Sequence, residues 1–168
     1  MTTASDHHRA RRLALQGLCA LDVQGGKALD LVLSFLQESR ETASTLEEAQ
    51  EMLRGAFLDR DGNDALLAGQ SQHWNVSRMA LVDRNILRLA VWELQSQHLS
   101  RKIIITEAIH LAKEFASAES PRFINGVLDA VARKLAAPGE VITPGEIVSP
   151  DEVASPEEIV RPEDADNE

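Results

Sequence analysis

The chain has a single cysteine, Cys19, in 168 residues. No intrachain disulfide can form, and a lone thiol suits a reducing cytoplasm better than secretion. There is no apolar run near the roughly 18 residues of a membrane span, and the N-terminus holds none long enough for a signal peptide. A soluble, cytoplasmic protein with no membrane partner is expected. Phosphate-binding loops are missing too: Gly25-Gly26 stands alone, without a GxGxxG or Walker pattern. The Asp59, Asp61, Gly62 and Asp64 cluster fails as a calcium loop, because setting Gly62 on that motif's glycine puts Phe57 at the first ligand position and Ala68 at the last. His7, His8, His73, His98 and His110 show no metal-ligand spacing beyond the adjacent His7-His8 pair, and read as surface residues. Cys19 lies at helical spacing from Leu15, as a core or near-core residue would. Glu107 and Glu114, with Lys113 nearby, read as a solvated charged face rather than an acid and base pair. Nothing argues for an enzyme, a cofactor or a metal.

Proline is almost absent until the end, where it recurs every sixth residue at Pro138, Pro144, Pro150, Pro156 and Pro162. That spacing leaves too few residues between breakers for a stable helix, and each proline removes a backbone donor. A hexapeptide β-helix would need many more stacked turns and fewer charges. Residues 138–168 are therefore expected to form a disordered acidic tail. The tail holds ten acids against Arg161 alone, so it carries nearly all of the net charge of -10, and residues 1–137 are close to neutral. With 43% apolar residues, that first part can bury the core of one domain.

In residues 1–137 apolar side chains recur at three- and four-residue spacing, which predicts an all-α domain of about six or seven helices. The first covers Asp6 to Val23, with Arg11, Ala14, Leu15, Leu18 and Leu21 on one side, Arg9, Arg12 and Gln16 on another, and Gly25-Gly26 as its stop. Others are predicted over Ala28 to Glu38, from a Thr45/Glu48 capping box to an interruption at Asp61-Gly62-Asn63-Asp64 with a second segment beyond it through Leu66 and Leu67, over Ser77 to His98, and over Thr106 to Ala116. The last runs from Ser120, as cap, to Leu135 with Pro121 at the first helical position. Lys102-Ile103-Ile104-Ile105 is the one strand-like patch, read as a strand or an extended entry to the next helix.

His7-His8-Arg9-Ala10-Arg11-Arg12 places three guanidinium groups at a helix start, where the macrodipole disfavours cations. Ordinary surface arginines are one reading; a nucleic-acid backbone held by arginine forks is the other.

Three segments taken together resemble the NusB family of bacterial transcription antitermination factors: Arg9 to Leu18 (RARRLALQGL), Val82 to Leu94 (VDRNILRLAVWEL), and Ile105 to Phe115 (ITEAIHLAKEF) followed by Phe123 to Asp129 (FINGVLD). The resemblance spans about Arg9 to Leu135. It implies two helical subdomains and a non-catalytic subunit that binds boxA RNA of ribosomal RNA transcripts with the ribosomal protein NusE, alongside other Nus factors and RNA polymerase. By position it implies RNA contact at Arg9, Arg11, Arg12 and Gln16, and in the region 116–122, with Glu119 at a customarily acidic place, Arg122, and Phe123 either stacking a base or filling the core. Asn125 is a further candidate, and Gly126 suggests close helix packing or backbone approach to a ligand. Asp83 and Arg84 fit the NusE-facing surface, Ile86, Leu87 and Leu94 the core, and Glu93 a buried backbone group or an arginine such as Arg88. Cys19 stands where the family usually carries an aromatic, which would weaken a partner contact. The tail is not a family feature; a solubilising appendage is its default role and an electrostatic gate against nonspecific RNA the alternative. Two other functions stay open: a pure protein-interaction module, and a relative of the accessory domain of a ribosomal RNA methyltransferase, which would need a catalytic domain where this chain has its repeats.

Overall fold

The computed structural model describes residues 3–70, 75–96, 98–140, 142 and 149–153. Among them are seven α-helices, one 3-10 turn and no strand: α1 Ala4–Gln24, α2 Leu29–Gln37, α3 Ala43–Leu58, α4 Arg60–Ala68, the turn Val76–Arg78, α5 Leu81–Ser96, α6 Arg101–Phe115 and α7 Ser120–Leu135. α1, α2 and α3 pack together, as do α5, α6 and α7, matching the two subdomains that the resemblance implies. α5 also touches α1, α3 and α4, so one apolar cluster runs through both groups. Ala10, Ala14, Leu53, Ile86, Leu87, Val91, Ile109, Ile124 and Leu128 lie at its centre with almost no exposure.

α1 begins with a capping box: the Thr3 side chain accepts from the Asp6 N–H, and the Asp6 carboxylate accepts from the Thr3 N–H at 2.8 Å. It ends as expected at Gly25, whose φ of 74° is the left-handed conformation that closes a helix. Several boundaries differ from the sequence expectation. The cap of α3 is Thr42, whose hydroxyl accepts from the Thr45 N–H, while Thr45 itself is buried one turn in. The break between α3 and α4 falls at Asp59, and Asp61 to Asp64 lie inside α4, where buried Asn63 donates to the Arg88 carbonyl and accepts from Gln95 at 2.7 Å. The isoleucine run is helical: Ser100 caps α6, and Ile104, Ile105, Ala108, Ile109 and Ala112 form a buried helical stripe that overrides β propensity. At α7 the cap position is Glu119, one residue earlier than expected, and the Ser120 hydroxyl instead shares a 2.9 Å hydrogen bond with Ser117.

Much of the acidic tail lies outside the described residues. Those that are described rest on the domain: Val153 is 5% exposed and its carbonyl accepts from the Lys113 ammonium. Glu140 pairs with Arg101 at 3.0 Å, which holds its carboxyl down to about 2.

Candidate functional site

The start of α1 is rich in basic side chains, and each of them meets an acid. His7 bonds Glu48 at 2.7 Å, Arg9 pairs with Asp6 and with Glu41 at 3.1 Å, and Arg12 pairs with Glu114 of α6 at 2.7 Å. The Arg12 guanidinium also lies over the Phe115 ring, 5.6 Å from its centroid. Arg9, Arg12 and Gln16 fall at i, i+3 and i+7, one outward stripe, and Cys19 extends it by a further turn. Through Glu114 and Phe115 this stripe is tied to the end of α6, where the loop 116–119 begins.

Arg11 departs from the arginine group. It points inward with 2% exposure and forks onto Glu93 of α5, its Nε donating to Glu93 Oε1 at 3.1 Å and its Nη2 at 2.7 Å. Burial alone would pull the guanidinium down, but Glu93 and then Glu107 keep it charged. Burial raises the Glu93 carboxyl, offset in part by Arg11. A guanidinium so enclosed offers no fork to a phosphate. Glu93 thus satisfies an arginine, as one of its two readings had it, but Arg11 rather than Arg88, which grips Asp64 with two bonds of 2.8 and 2.7 Å.

Around the loop, Glu119 is exposed, and Arg122 is exposed on the first turn of α7, 3.8 Å from Asp151 of the tail. Phe123 is half-buried against the core, the core-filling alternative. Asn125 is half-buried, and its side-chain oxygen meets no donor among the described residues. Gly126 differs from the packing expectation: a Cβ there would meet nothing within 4 Å.

On α5, Arg84 donates to Asp22 of α1 at 2.9 and 2.7 Å, and Asn85 adds a third bond to the same oxygen at 3.0 Å. Burial would raise the Asp22 carboxyl, but these donors hold it below its usual range. Asp83 is half-buried, with one carboxylate oxygen lacking a hydrogen-bond partner among the described residues. Cys19 is half-buried, and burial, with Asp22 nearby, pushes its thiol up to about 11, so it is an unreactive thiol at neutral pH. Cys19 and Arg84 thus both border Asp22, while Gln16 and Arg12 lie further along α1.

The sequence reading missed a convergence of histidines. His8 bonds Glu107 of α6 at 2.9 Å, and His110, buried rather than on the surface, approaches the other oxygen of that carboxylate at 3.4 Å. The Glu107 hydrogen bond raises His8 against the opposing effect of burial. Burial would raise Glu107, yet His110, His8 and Arg11 hold it at about 2. The i, i+3 spacing of Glu107 and His110 was visible in the sequence; the arrival of His8 from α1 was not.

No helix among the described residues is long and apolar enough to cross a membrane. Residues 8–133 match the model of the NusB family. A Transcription antitermination protein NusB of Symbiobacterium thermophilum is 40% identical over 134 residues, covering 74% of this chain and 88% of that protein. Among solved structures, NusB of T. maritima superposes with a TM-score of 0.72 at 29% identity, covering 83% of this chain and 96% of that one. A structure of the antitermination factors NusB and NusE in complex with double-stranded RNA shares the fold at a TM-score of 0.68 and 24% identity, covering 79% and 99%.

Proposed function

Because the chain belongs to the NusB family, we propose that it is a transcription antitermination factor that binds boxA RNA of ribosomal RNA transcripts together with the ribosomal protein NusE. It works as a non-catalytic, cytoplasmic subunit of a complex with other Nus factors and RNA polymerase. The observation that carries the reading is the outward stripe Arg9, Arg12 and Gln16 on α1, tied by Arg12 to Glu114 and Phe115 beside the α6–α7 loop. RNA is held there by guanidinium forks from Arg9 and Arg12, with Gln16, Arg122 and Asn125 adding polar contacts. Glu119 moderates the affinity by repelling phosphate. Arg11 acts from inside, fixing the start of α1 on α5 through Glu93. NusE docks across Cys19, Asp83 and Arg84, where α1 and α5 meet through Asp22.

The pairing of each described basic side chain at the start of α1 with an acid favours a second reading, a protein-interaction module with little RNA affinity. Binding of labelled boxA RNA and of a scrambled version, with and without cognate NusE, separates the two. We expect preference for boxA that strengthens with NusE. In the Arg9→Ala/Arg12→Ala variant the affinity falls, and the slope of log affinity against log salt drops by roughly 2. Equal binding of both RNAs, or none with NusE present, overturns the antitermination reading in favour of the module.

A further inference from the structure

We propose that His8, Glu107 and His110 form a binding site for a divalent transition metal, zinc by its ligand chemistry. Their donor atoms all lie within 4.8 Å of one another. Both Nδ1 atoms face the same carboxylate, His8 at 2.9 Å from one oxygen and His110 at 3.4 Å from the other. These separations bracket the roughly 3.3 Å between neighbouring ligands of a tetrahedral ion with bonds of about 2.0–2.1 Å. The two imidazoles meet edge to face without clashing, centroids 5.9 Å apart and planes at 85°. Two imidazoles and one carboxylate make a donor set that zinc uses with a fourth position open to water.

The surroundings have the form of an outer ligand shell. Glu114 lies 3.4 Å from His8 Nε2, on the far side of the ring from Glu107. A carboxylate there accepts the Nε2 proton and leaves the Nδ1 lone pair directed at the site, the arrangement that orients metal-bound histidines. Arg11 Nη1 stands 3.8 Å from Glu107 Oε2, the oxygen that His8 faces, with its own charge already met by Glu93. All three ligands are largely shielded from water yet reachable: their side chains are 18%, 17% and 9% exposed. Glu107 and His110 sit one turn apart on α6, while His8 comes from the second turn of α1. An ion bound there would pin the start of α1 to α6, a role that does not rest on RNA binding.

The test uses the full chain, stripped with a chelator and titrated with Zn²⁺ against a chromogenic competitor. One ion per chain is expected, with affinity falling at least tenfold in His8→Ala and in His110→Ala, and by about 10- to 100-fold in Glu114→Ala. His7→Ala, which removes the neighbouring exposed imidazole, should leave the affinity unchanged. Co²⁺ in place of zinc should give the visible absorption of a low-coordinate imidazole site, lost in His8→Ala. His8 is at the surface end of the cluster, so that variant stays interpretable if the buried His110 substitution unfolds the protein. No zinc binding, or binding that changes less than twofold in His8→Ala, as ions held by the acidic tail would show, overturns the proposal.

Discussion

A guanidinium taken into the interior must bring its counter-charge with it, and Arg11 does so through Glu93. Such a pair adds little net stability over a well-packed apolar pair, but breaking it strands a buried charge. Glu93→Gln should therefore destabilise the domain by about 3–5 kcal/mol, seen as a lowered urea midpoint with unchanged slope. The double change Arg11→Met/Glu93→Leu should recover most of that loss, and if it does not, the pair is holding α1 on α5 by more than charge. This residue also marks where the sequence could be read and where it could not. Helical periodicity put Arg11 on the apolar side, with Ala14 and Leu15, and Arg9, Arg12 and Gln16 on another. The basic cluster at the helix start and the family position nonetheless grouped Arg11 with the RNA-facing arginines. Its partner lies 82 residues away, a separation that no local pattern spans.

At the scale of elements, apolar spacing located every helix, because burial is what selects a period, whereas ends depend on single caps and shift by a residue or several. The isoleucines of α6 show the same ranking: a helical stripe of buried positions outweighs the modest β preference of three residues. Two helical glycines show what spacing cannot tell. A Cβ on Gly55 of α3 would lie 2.2 Å from the Trp92 indole of α5, whereas one on Gly126 of α7 meets nothing. Gly55→Ala should cost roughly 1–3 kcal/mol as Trp92 is displaced, and Gly126→Ala should add up to about 1 kcal/mol of stability, both measured by denaturant melts. If Gly126 serves the proposed RNA face by letting backbone approach a ligand, the stabilised variant will bind boxA RNA more weakly. Unchanged binding would assign that glycine no role in recognition.

For the whole molecule, composition separated a near-neutral domain from an acidic tail, but it could not show that Val153 is buried against the domain with Lys113 on its carbonyl. A five-residue unit between prolines reads as solvated until a socket for one valine exists, and that socket is made by tertiary packing. Truncation after Ala137 should lower stability by about 1–3 kcal/mol, the worth of one buried valine, as followed by thermal melting. The Arg122–Asp151 pair spans 3.8 Å between side chains that are both nearly fully exposed, so salt screens it. The truncated chain should accordingly bind an unrelated RNA more tightly at low salt and no differently at physiological salt. A rise that persists at physiological salt would make the tail a gate rather than an appendage.

α1 is one unbroken helix from Ala4 to Gln24, and it carries Arg9 near one end and Cys19 near the other. At 1.5 Å per residue and 3.6 residues per turn these positions stand about 15 Å apart along the axis and about 80° apart around it. The helix is therefore a ruler: it sets both the distance and the rotational phase between whatever grips its start and whatever docks at its end. With Arg11 keyed into α5 between them, an RNA and a protein docked as proposed at Arg9 and Cys19 would be held to that spacing and phase.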